Sequence, residues 1–129
     1  MGGEIRVLVG THDFAGATRF YGDVLGFPVQ EEWNAPDGRG TLFRCSAGGV
    51  IEIIEDSPHH PAETPRGVRV AIEVDDVDVL YARVIRAGVT QAGVEVVDSL
   101  ADRPWGQRSF EIRDLSGLPL VFFTPLSSR

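Results

Sequence analysis

Apolar positions along the chain follow two alternating periods. Ile5, Val7 and Val9 recur at every second residue, the period of a half-buried strand. After the turn Gly10-Thr11-His12-Asp13 the period changes. Phe14, Ala17, Tyr21, Val24 and Leu25 fall at helical spacing, with Thr11 or Asp13 placed to cap the start and Gly26 to take a left-handed conformation past the end. Three strand-like runs follow, Phe27–Trp33, Thr41–Cys45 and Val50–Glu55, separated by the turn-forming stretches Asn34–Gly38 and Ser46–Gly49.

The series then repeats. Val68–Val74 alternates like the first strand, Asp75-Asp76 stands where a cap belongs, and Val77, Leu80, Tyr81, Val84 and Ile85 form a helical stripe that ends at Gly88. Val94–Asp98, Ser109–Arg113 and Leu120–Thr124 complete the second set of strands. The proline-bearing stretch Asp56–Arg66 divides the chain into a first βαβββ unit over residues 4–56, a linker over 57–66 and a second unit over 67–125, all within one domain of 129 residues. One such unit leaves a sheet face uncovered. Two side by side predict an α+β fold: a curved mixed sheet with helices outside and a concave ligand cleft inside.

Composition narrows the function. Twelve basic residues, all arginine, stand against nineteen acidic ones, for a formal charge of −7. A net-negative chain with no basic run is a poor partner for nucleic acid or an anionic membrane. No apolar run reaches the length of a membrane helix and the N-terminus lacks a secretory signal, so the expected location is the cytoplasm. The single cysteine, Cys45, excludes an internal disulfide. His59 and His60 sit in the linker, where an adjacent pair does not converge on one ion, and His12 falls in a turn.

Phe20-Tyr21-Gly22-Asp23-Val24-Leu25-Gly26-Phe27 is similar to the FY-x-x-x-LGF signature of the vicinal oxygen chelate superfamily, which includes glyoxalase I, extradiol dioxygenases and bleomycin-resistance proteins. Gly48–Ile54 and Pro104–Gly117 extend the resemblance over nearly the whole chain. The second of these resembles the bleomycin-resistance branch, with Trp105-Gly106-Gln107-Arg108 ahead of a turn that here reads Asp114-Leu115-Ser116-Gly117-Leu118 in place of D-P-x-G-N. The resemblance implies the two-unit fold and, in metal-dependent relatives, four His, Glu or Gln ligands drawn from the first and last strands of each half. On this chain those positions are Arg6, Glu52, Arg69 and Val121. Guanidinium has no lone pair for a cation and valine offers nothing, so neither metal nor other cofactor is expected.

Strand alternation places Arg6 and Leu8 on one face, and Arg69, Ala71 and Glu73 on another, opposite the β-branched residues that suit packing under helices. Arg6 and Arg69 with Glu52 and Glu73 then form either an internal salt-bridge network or a polar floor that binds a ligand oxygen. Trp33, Phe43, Trp105 and Phe110 are aromatic candidates for stacking on a flat ligand, with core packing as the alternative, favoured for Phe43 and Phe110. The expected ligand set is Arg6, Leu8, Trp33, Phe43, Glu52, Arg69, Glu73, Trp105, Phe110 and Val121. With these residues, the resemblance implies a metal-free small-molecule binding protein of the bleomycin-resistance type that sequesters a partly aromatic compound such as an antibiotic. The alternative is a glyoxalase-like lyase, isomerase or dioxygenase with an atypical metal site or none, using Glu52 or Glu73 as base beside an arginine. The resemblance implies a homodimer, with module exchange permitted by the length of the linker.

Overall fold

In the computed structural model, residues 2–90 and 94–126 are described. The chain runs β1 (Ile5–Thr11), α1 (Phe14–Arg19), β2 (Val29–Ala35), β3 (Gly38–Ser46), β4 (Gly49–Glu55), β5 (Val70–Glu73), α2 (Val77–Thr90), β6 (Glu95–Arg103), β7 (Gln107–Arg113) and β8 (Pro119–Pro125). The α+β fold of two βαβββ units is therefore present. Each unit forms its own mixed four-stranded sheet, ordered β1-β4-β3-β2 and β5-β8-β7-β6. In both sheets the first strand pairs parallel with the last, Leu8 opposite Glu52 and Ala71 opposite Val121.

The first helix starts where its cap predicts. Asp13 Oδ1 accepts the Gly16 N–H at 2.9 Å, and Thr11 Oγ1 accepts the Asp13 N–H at 3.1 Å. It does not continue as a regular α-helix: Phe20–Val24 widens into a π-turn before Gly26 takes φ +76°. The second helix differs from expectation at its other end. It passes through Gly88 to Thr90, so Gly88 does not terminate it. β6 is longer than the hydrophobic run Val94–Asp98 suggests, because two register shifts between Val96 and Ala101 interrupt the alternation.

Both helical segments and the helix-bearing faces of both sheets enclose one core. Phe20, Tyr21, Phe43, Ile51 and Ile53 from the first unit join Phe110, Ile112, Leu120 and Phe122 from the second, all essentially inaccessible. Burying each such side chain stabilises the fold by about 1.5–3 kcal/mol. A polar bond crosses this core: Tyr21 Oη donates to Asp114 Oδ2 at 2.5 Å. Asp114 Oδ1 in turn accepts from the Ser116 and Leu118 backbone N–H groups and from Ser116 Oγ, which fixes the β7–β8 turn. Burial, reinforced by the Asp114 charge, holds the Tyr21 phenol well above its ordinary value of 10.0, so it stays a donor.

Candidate functional site

Strand pairing assigns the opposite, concave face of each sheet. On the first, Arg6 and Arg44 flank Val50, Leu8 and Leu42 flank Glu52, and Trp33 lies opposite Gly40. Glycine is required there, because a Cβ at position 40 would fall inside the indole ring. Leu42, Val50 and Ile54 are buried on this face. Both of its arginines are paired. Arg6 Nε donates to Glu4 at 2.7 Å and its Nη1 to Glu52 at 3.4 Å, while Arg44 Nη2 reaches Glu4 at 2.8 Å and its Nε reaches Gln30 at 2.8 Å. The two guanidiniums hold the Glu4 carboxyl below the ordinary carboxylate value, Arg6 contributing first.

The second concave face is loaded differently. Ala71, Val121, Glu111 and Asp98 form one row across the sheet, and Glu73, Phe123, Ser109 and Ala101 the next. A cavity of 400 Å³ opens on it, bounded by Arg69, Val121, Glu111, Arg103 and Trp105 among others. Arg69 is 68% exposed and uses Nη1 to bond Glu111, itself only 13% exposed, at 3.1 Å. Arg103 is the fixed wall: it donates to Ser109 Oγ at 3.0 Å, to the Ser99 and Ser109 carbonyls at 2.7 and 3.0 Å, and pairs with Asp98 at 3.3 Å. Trp105, on the β6–β7 turn, is 68% exposed and donates Nε1–H to Gln107 at 3.2 Å.

The ten residues expected from sequence thus divide into three sets. Arg6, Leu8, Trp33 and Glu52 share the first concave face. Arg69, Glu73, Trp105 and Val121 lie on or beside the second. Phe43 and Phe110 are corrected: both point to the helix side, Phe43 stacked on Tyr21 at 5.8 Å and Phe110 against Tyr81 at 5.0 Å. Each alternates with a concave-face neighbour, Leu42 or Ser109, so strand parity turns its ring toward the core. The expected polar floor is also regrouped. Arg6 pairs with Glu52, but Arg69 pairs with Glu111 and not Glu73, and among the described residues no hydrogen bond or ion pair joins the two arginine sets. Glu111 and Arg103 carry no spacing signal in the sequence; only the cross-strand register brings them to the site.

The four positions where metal-dependent relatives would place ligands do not fit a divalent cation. Two are guanidiniums already bonded to carboxylates, one is Val121, and Glu52 is engaged by Arg6. Among the described residues no three His, Cys, Asp or Glu side chains converge.

A family model described as the Glyoxalase/Bleomycin resistance protein/Dioxygenase superfamily matches residues 5–122. The chain belongs to this superfamily. Solved structures of the same fold include TioX from Micromonospora sp. ML1, with a TM-score of 0.73 and 24% identity over 97% of this chain and 100% of that one. TnmS3, an antibiotic binding protein from Streptomyces sp. CB03234, has a TM-score of 0.73 at 24% identity over 97% of each chain. A glyoxalase/bleomycin resistance protein from the same Streptomyces gives 0.70 at 25% identity over 92% of this chain and 97% of the other. Among the described residues no helix of this superfamily member is long and apolar enough to cross a membrane.

Proposed function

We propose that the protein is a metal-free binding protein of the antibiotic-binding type, taking a flat, partly aromatic molecule against the second concave face. The observation that carries this reading is the pairing of Arg6 with Glu52 and Arg69 with Glu111 at and beside the positions a metal would need. An ion pair there removes the Lewis acid on which enediolate or dioxygen chemistry depends. It leaves a recess with an exposed indole at its rim, an apolar floor at Ala71 and Val121, and an arginine of which, among the described residues, only Nη1 is engaged. Trp105 offers a stacking surface and Arg69 a fork for a carboxylate, phenolate or amide oxygen. The likeness to TnmS3 supports a ligand of the antibiotic class.

In this reading the protein works as a two-fold dimer. Each chain turns its helix-bearing faces inward, which leaves the two concave faces on the outside as half-sites, and β1 and β5 are edge strands with Leu8 53% exposed. Apposing the first face of one chain to the second face of its partner encloses the ligand and adds Arg6, Leu8, Trp33 and Glu52 to its walls. The test is titration of the dialysed protein with aromatic antibiotics and phenolic acids, read by tryptophan emission, beside light scattering. Saturable quenching and twice the 14.0 kDa chain mass support the reading. No response across such a library, or a monomer mass, contradicts it.

A further inference from the structure

A second cavity, of 640 Å³, lies away from Trp105, where the start of β1 and the Ser46–Gly49 turn meet β5. We propose that this cavity binds an alkyl or acyl chain ending in an anionic group, with the chain against the junction of the two units and the anion on Arg69. Val7, Cys45 and Ile51 line it from the first sheet, and Ile72 and Phe123 from the second. Its volume falls in the range of small-molecule sites, about 300–1,000 Å³, and its lining is mostly hydrocarbon, as such sites require.

The two ends of β5 give the cavity its polarity. Arg69 stands just before the strand, and Glu73 closes it four residues on, about 13 Å away along an extended chain. Of the Arg69 nitrogens only Nη1 is engaged among the described residues, by Glu111. Nε and Nη2 are left as the fork that suits a carboxylate. A chain with its anionic head at Arg69 keeps that charge away from Glu73, whereas a cationic head meets repulsion at Arg69. Arg69 also borders the 400 Å³ cavity, so one guanidinium stands between two compartments.

Cys45 makes the proposal testable. It is the single cysteine of the chain, it is half-buried in this cavity, and it does not line the one beside Trp105. Iodoacetamide alkylation of the full chain, followed by mass spectrometry, is therefore a local reporter. Decanoate at about ten times its dissociation constant should slow alkylation about tenfold, in proportion to the remaining empty cavity. Butyrate and decyltrimethylammonium should leave the rate unchanged. Arg69→Gln should weaken the decanoate effect about tenfold, and Arg69→Glu should transfer protection from decanoate to the cation. The proposal is overturned if decanoate does not protect, if the cation protects the wild type equally, or if protection comes with a change in mass by light scattering, which would mean that a second copy covers the thiol. Because Cys45 reports only this cavity, those outcomes leave the aromatic-ligand reading intact.

Discussion

The two concave faces share a strand order and a parallel first-to-last pairing, yet one is closed on itself and the other is open. On the first, Arg6, Arg44, Glu4, Glu52 and Gln30 bond one another over buried Leu42 and Val50, and Trp33 lies on the backbone at Gly40. On the second, small residues such as Ala71 and Ser109 leave a recess, Arg69 has one partner among the described residues, and Trp105 stands exposed at the rim. Side-chain size and donor occupancy, not backbone topology, decide which face has capacity left for a ligand. The helices differ in the same way. α2 is continuous, whereas the first helix is deformed into a π-turn at the point where it plants Tyr21 against Asp114 of the other unit.

The comparison breaks most severely at that crossing bond. Asp114→Ala strands a buried phenol and two turn N–H groups, and should cost about 3 kcal/mol or more, read as a lower urea midpoint at unchanged slope. Tyr21→Phe leaves only the carboxylate oxygen unpaired and should cost about 1–2 kcal/mol. Two separated unfolding transitions in the wild type would show that the units are independent and that this bond does not unite them.

Binding should separate the two faces next. Arg69→Ala removes an exposed guanidinium of which, among the described residues, only Nη1 is engaged, and should weaken an anionic aromatic ligand about tenfold. Arg6→Ala should weaken it less, since Arg6 is already held by Glu4 and Glu52. Trp105→Ala should cost several-fold, within the roughly 0.5–1.5 kcal/mol of an aromatic contact. Isothermal titration ranks all three, and equal losses for Arg6 and Arg69 would remove the distinction between closed and open faces.

The smallest effects are in pH. The folded Tyr21 phenol has a raised pKa, so the stability it contributes is complete below 10.0 and falls as pH rises past that value, where the unfolded chain ionises and the buried phenol does not. Melting temperatures of wild type and Tyr21→Phe should therefore converge between about pH 9 and pH 11. Glu4 and Glu55 are held low by Arg6 and by Arg39 respectively, so their contribution is present above 4.5 and is lost as pH falls through their lowered values. Glu4 is exposed and Glu55 half-buried with its carboxylate at the surface, so this acid limb should be shallow and flatten in high salt.

Much of this frame is legible in the sequence because strands and helices carry different hydrophobic periods. β1, the cap at Asp13, the left-handed Gly26 and the facing of Arg6 and Leu8 all follow from period and turn chemistry. The site is legible only in part. Alternation predicts a face, but it does not predict which strand lies opposite, so Arg69's choice of Glu111 over Glu73 appears only in the β7–β8 and β5–β8 registers. Arg103 was hidden because the register shifts in β6 break the period that would reveal its facing. Phe43 and Phe110 are ambiguous by residue type, which suits stacking or core packing, and both take the core packing that the sequence favours for them.

The most direct measurement of the central claim, a metal-free ligand face on the second sheet, uses the Trp33→Phe variant after exhaustive chelation. Trp105 is then the sole tryptophan and reports that face alone. The account predicts saturable quenching of its emission by an aromatic ligand, unchanged when zinc, nickel, manganese or iron(II) is added back. Binding that appears only with one equivalent of metal, and vanishes with Glu52→Ala, would contradict it.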